Sequence, residues 1–189
     1  MTERENLYKG LTYVIWGYIF LYFDIKINEI TFLPDFVAYF FFLSAIKLLK
    51  EEEKELSLII RFGIILCCWD CILWFGKWAS LEISMAPISL IISIISLYFH
   101  FQLITNLASI AAKYQPEDSD ISEKLLKYRT VQTVILTILS VSTVGILCLK
   151  DIWAYFMSGM GIVYLIAGVC LIYTLYQLRK CFIEEKILD

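Results

Sequence analysis

The chain has 189 residues, 60% of them apolar and 19% charged, with a formal net charge of -3. A soluble domain averages about 45 to 50% apolar residues even with glycine counted, and nucleic-acid binding rests on clustered cationic charge. The composition therefore excludes a nucleic-acid partner and argues against a soluble single core.

Stretches without Asp, Glu, Lys or Arg run 30 residues from Ile83 to Ala112, 20 from Thr130 to Leu149 and 27 from Ile152 to Leu178. Each is long enough to cross a bilayer as a helix. The expected fold is all-α: an integral membrane bundle of six transmembrane helices, a single transmembrane domain over residues 1–189. The spans fall at about 7–23, 33–49, 56–78, 86–112, 127–149 and 152–178.

The first span ends at Asp24, and Lys9 near its start can snorkel to the interface. The stretch before it, MTERENLYKG, mixes both charges, and no small-x-small pattern follows the apolar run, so the segment is expected to stay as an anchor. The second span opens on Leu33-Pro34-Asp35, where proline suits a first helical turn and a carboxylate favours the positive end of the helix dipole. The third is the most polar, with Arg61, Asp70 and Lys77 inside it. Two connections, Lys50 to Glu55 and Gln115 to Asp120, read as solvated loops. Asp120 with Glu123 three residues on marks a helix start, and the fifth helix can run from Ile121 to Leu149. Its first turns carry Lys124, Lys127 and Arg129, expected at the anionic inner leaflet.

Cationic residues set the orientation. With both termini cytoplasmic, 13 of the 16 Lys and Arg lie on inner segments and 3 (Lys26, Lys77 and Lys150) on outer turns. The chain then reads as three antiparallel hairpins, 7–49, 56–112 and 121–180.

The first hairpin carries Ile30-Thr31-Phe32-Leu33-Pro34-Asp35-Phe36-Val37-Ala38-Tyr39. It resembles an I-x-x-L-P-D-F-x-G-Y signature of small, functionally uncharacterised multi-pass membrane proteins of low-GC Gram-positive bacteria, with Ala38 in place of the glycine. The resemblance covers about 40 residues and implies a bacterial plasma membrane; it brings no activity. A count of 29 Ile against 9 Ala agrees with an AT-rich source.

Asp70 falls mid-span, where an aspartate costs about 3 kcal/mol and function is the default reading. His100, the only histidine, falls at a similar depth in the fourth span. Ser89, Ser93, Ser96 and His100 share one stripe of that helix at spacings of 4, 3 and 4, and Thr130, Thr133, Thr137 and Ser140 share one on the fifth. The Asp70 face of the third helix also holds Gly63, Cys67, Trp74 and Lys77. These patterns predict a polar interior between helices three, four and five, with Asp70 and His100 as a proton-titrating or ligand-holding pair. In the structural alternative, Asp70 is protonated and hydrogen-bonded to a hydroxyl or to Gln102 or Asn106, and the hydroxyl stripes are interhelical glue.

Cys68 and Cys71 form a C-x-x-C, similar to those of membrane thiol oxidases and vitamin K epoxide reductases, whose second outer cysteine pair is missing here. One histidine and clustered cysteines on differing faces give no metal-ligand set. No phosphate-binding glycine loop, H-E-x-x-H or G-x-S-x-G occurs, so hydrolysis and ATP use are unsupported and no cofactor is implied. Tyr13, Trp16, Tyr18 and Tyr22 form an aromatic set in the first helix, and Gly10 with Gly17 and Gly161 with Gly168 mark close helix contacts. The functional readings are a small transporter-like protein using Asp70 and His100, a non-transporting subunit of a larger complex (sensor, immunity or assembly partner), and a thiol oxidoreductase. A substrate-binding component of a vitamin transporter ranks lower, since its alanine motif is missing from the first helix. Expected partners are the lipid bilayer and either a second membrane protein or another copy.

Overall fold

Apolar runs bounded by proline, acidic turns and charged ends give helices, and the computed structural model forms six of them. It describes residues 3–23, 26–27, 30–31, 34–79, 86–142 and 150–184. The helices are α1 (Glu3–Tyr22), α2 (Asp35–Leu49), α3 (Ile60–Trp78), α4 (Ala86–Tyr114), α5 (Ile121–Ser142) and α6 (Lys150–Glu184). A 3-10 helix over Lys54–Ile59 leads straight into α3. Among the described residues, the connection after α1 contains a short departure from the all-helical expectation. There β1 (Lys26–Ile27) pairs antiparallel with β2 (Ile30–Thr31).

Pro34 sits just ahead of α2 in extended geometry, and its carbonyl accepts the Val37 N–H at 3.0 Å. With no N–H of its own, proline adds no further donor to this end, whose first turn carries no side-chain cap. The start of α5 is met differently from the expected capping pair. Gln115 Oε1 accepts the Ser122 N–H at 2.8 Å, while Asp120 pairs with Lys124 at 2.8 Å. The expected end of the fifth span, 143–149, lies outside the described residues.

Consecutive helices pack side by side, and α6 also packs on α1, so the six close into a ring. The tightest contact joins α1 to α2, and glycine permits it: a Cβ at Gly17 would stand 2.5 Å from the Phe42 ring, and one at Gly10 2.6 Å from Leu49. The expected middle hairpin packs loosely, with α4 meeting both α3 and the 3-10 helix that precedes it. Contact between α3 and α4 is the thinnest joint of the ring, and α4 packs mainly on α5. Gly63 allows the little approach there is, facing Leu43 and Phe99 at 3.0 Å.

The core lies inside the ring, around the fully buried Tyr18, Phe42 and Phe99. Bulky apolar side chains also point outward: Ile64, Ile72 and Phe75 on α3, Ile91 and Ile94 on α4, Ile162, Ile166 and Tyr173 on α6. Three helical stretches, Lys54–Trp78, Pro87–Tyr114 and Ser158–Phe182, are long and apolar enough to cross a membrane.

Two polar segments depart from the sequence reading. The Lys50 to Glu55 loop is tied down, since Lys113 Nζ donates to the carbonyl and to Oε1 of Glu52, both at 3.1 Å, and the Tyr114 hydroxyl donates to Glu52 Oε2 at 2.9 Å. Arg129 is expected at the lipid surface but turns toward α4. It lies 4.3 Å over the Phe101 ring and donates to Thr105 Oγ1 at 2.9 Å.

Candidate functional site

The thin joint between α3 and α4 holds a cavity of about 200 Å³. It is lined by Leu66 and Asp70 of α3, Ile92, Ser93 and Ser96 of α4, Leu136 and Ser140 of α5, and Tyr39 of α2. Leu66 and Asp70 stand four apart, hence on one face of their helix, as do Leu136 and Ser140 on theirs. The polar interior expected between helices three, four and five is therefore present, with α2 as an additional wall.

Asp70 is half-buried, and among the described residues no hydrogen bond or salt bridge holds its carboxylate. Asp35, at the first turn of α2, is within electrostatic reach and carries the same sign. Neither Gln102 nor Asn106 serves it: Gln102 Nε2 donates to Asn106 Oδ1 at 3.1 Å and to Glu55 at 3.3 Å. Ser93 donates its own proton to the Ser89 carbonyl at 2.9 Å, which leaves its oxygen as an acceptor toward the cavity. Tyr39 is buried, and it lines the cavity beside Ser96 within electrostatic reach of Asp70.

His100 is placed elsewhere. Its ring is buried in an aromatic cage, with centroids 5.7 Å from Tyr18, 6.2 Å from Tyr39, 5.6 Å from Phe42 and 5.2 Å from Phe99. Among the described residues neither ring nitrogen has a hydrogen-bond partner, and neither does the Tyr18 hydroxyl. The expected Asp70 and His100 pair is thus not in contact. The thin α3 to α4 joint keeps the two side chains in separate surroundings. Tyr39 touches both environments.

Of the remaining sequence candidates, Ser93 and Ser96 reach the cavity, while Thr133 and Thr137 donate to the carbonyls of Arg129 and Thr133 at 2.8 and 2.7 Å along their own helix. Cys68 is exposed and Cys71 half-buried, both as free thiols, and Cys67 donates to the Phe36 carbonyl at 3.7 Å. Cys148 and the Trp153 side chain lie outside what is described. Among the described residues no group of three or more His, Cys, Asp or Glu comes together.

Two features were missed by sequence reasoning. Tyr39 was visible only as the last position of the Ile30 to Tyr39 signature. A second polar cluster joins α1, α5 and α6, where Gln132 donates to the Tyr22 hydroxyl and the Tyr22 ring lies 5.2 Å from Tyr164. Gly168 makes room for it, since a Cβ there would meet the Tyr22 ring at 2.7 Å, whereas Gly161 has nothing within 4 Å. Of the first-helix aromatic set, Tyr13 and Trp16 face outward and Tyr18 and Tyr22 inward, so the four do not line one site.

Comparison with known proteins gives no match to a family model, a curated protein or a solved structure.

Proposed function

We propose that the chain is a small six-span membrane protein of the carrier type, which binds a solute at the Asp70 cavity in exchange for a proton. The observation that carries this reading is an aspartate halfway along an apolar helix, facing a cavity and lacking a counter-ion among the described residues. An ionisable group in that setting is costly and is a functional candidate by default. The titratable groups facing Asp70 are Tyr39 and Asp35 from α2 and Cys67 and Cys71 on its own helix; α4 and α5 supply only hydroxyls and aliphatic chains to the cavity. No fixed cation is there to hold the carboxylate charged, so a proton or a cationic solute is the natural counter-charge.

Six spans with both termini cytoplasmic are supported by the Lys and Arg bias and by the outward apolar side chains of α3, α4 and α6. The signature at Ile30 to Tyr39 supports a bacterial plasma membrane. His100, caged by aromatics, packs against Tyr39 rather than serving as a ligand or relay group.

A second reading, a subunit of a membrane complex, is favoured by one feature of α6. Gly159 and Gly161 face open space beside the exposed Ile162 and Val163, the kind of surface on which another helix packs closely. Native mass spectrometry of the chain, extracted in mild detergent from its own membrane without overexpression, separates the two. The carrier reading expects the chain without other proteins, and any retained small molecule lost in Asp70→Asn. A stoichiometric second protein overturns it.

A further inference from the structure

The Asp70 cavity supplies acceptors and few donors. An ionised carboxylate only accepts, and the Ser93 proton is committed to the Ser89 carbonyl at 2.9 Å. The Tyr39 and Ser96 hydroxyls on the same wall accept as well as donate. Beside these polar groups three aliphatic side chains, Leu66, Ile92 and Leu136, complete the lining. The volume of about 200 Å³ leaves room for roughly seven water-sized groups. That is below the range of about 300 to 1,000 Å³ typical of drug-sized ligands, so nucleotides and lipids are too large.

From this lining we infer that the solute is a small primary alkylammonium ion. Its three N–H bonds match Asp70, Ser93 and the Tyr39 and Ser96 hydroxyls, and its alkyl end lies against Leu66, Ile92 and Leu136. A bare metal cation fits less well, because hard cations gather six or more oxygens and half of this wall is hydrocarbon. An anion meets Asp70 with no cation lining the cavity to offset it. A quaternary ammonium matches the charge but has no N–H to donate. The inference deepens the carrier reading and rests on the cavity being a binding site.

The test is isothermal titration calorimetry of the full chain in lipid nanodiscs, with empty nanodiscs subtracted, using methylammonium, tetramethylammonium, glycerol and acetate as probes. Methylammonium is expected to bind saturably. Tetramethylammonium should bind at least about tenfold more weakly, as the loss of charge-assisted hydrogen bonds implies. Asp70→Asn should abolish methylammonium binding, and Ser93→Ala should weaken it several-fold while leaving the thermal transition in place, which covers the case of a poorly folded Asp70 variant. If tetramethylammonium, glycerol or acetate binds as well as methylammonium and Asp70→Asn removes that binding, the primary-ammonium class is overturned and the binding site stands. If none of the probes shows binding that depends on Asp70 or Ser93, the ammonium class is overturned, and the carrier reading is then decided separately by the mass spectrum and by the proton occupancy of Asp70.

Discussion

The ring of Tyr39 lies 6.2 Å from that of His100, while the same side chain stands with Ser96 in the wall of the Asp70 cavity. One side chain therefore belongs both to the packed aromatic interior and to the polar site. Its two halves separate by substitution. Tyr39→Phe keeps the ring and removes only the hydroxyl, so it should cost no more than about 1 kcal/mol of stability, while Tyr39→Ala should cost about 3 to 5 kcal/mol by emptying an aromatic position. Thermal melts of both variants in one detergent check the order; equal losses would contradict the division.

His100 offers the opposite expectation. Both its nitrogens are buried without a partner, and four aromatic rings surround it. Burying an unsatisfied polar group is unfavourable, so His100→Phe should leave the melting temperature unchanged or raise it. A large drop would show that the imidazole has a polar partner.

Glycines in this chain divide by what surrounds them. Gly17→Ala drives a methyl into the Phe42 ring, which is fully buried, and should cost about 1 to 3 kcal/mol as overpacking. Gly161→Ala meets nothing within 4 Å and should be close to neutral in the isolated chain. Parallel melts of the two variants test the ring geometry at its tightest joint.

Acid should loosen the tie between the Lys50 to Glu55 loop and the end of α4. The Lys113 hydrogen bond holds the Glu52 carboxyl below its ordinary value of 4.5. A carboxyl lowered in the folded state contributes stability that is fully present above the unfolded value and lost as pH falls through the lower folded one. Glu52→Gln should therefore be less stable than the parent at neutral pH by up to about 1 kcal/mol, the scale of an exposed ion pair. The difference should shrink once the pH drops below the carboxylate range. Melting temperatures of both proteins over a pH series provide the check; a gap that persists in acid would contradict it.

Much of this arrangement was readable from residue order alone, because helix existence follows from apolar runs and their breakers. Pro34, the Gln115 to Asp120 loop and the charge-free runs placed the helices, and helical spacing put Ser93, Ser96 and Ser140 on inward faces. What escaped depends on which helices meet. Spacing along α4 aligns His100 with Ser96, yet α1 and α2 close over the lower part of that stripe and leave the upper part to the cavity. Tyr39 lies on a helix that sequence periodicity gave no reason to join to α3 and α4. Thr133 and Thr137 fit their stripe, but a hydroxyl on a helix can return its proton to the carbonyl four residues back, and both do.

The central claim is that Asp70 exchanges a proton inside the ring of helices. Infrared spectroscopy of the chain in nanodiscs reads this directly, through the carbonyl band of a protonated carboxyl group recorded over a pH series. The account predicts one band that appears and disappears with pH, is removed by Asp70→Asn and shifts in Tyr39→Phe. A carboxyl spectrum in which Asp70→Asn changes nothing at any pH would contradict it.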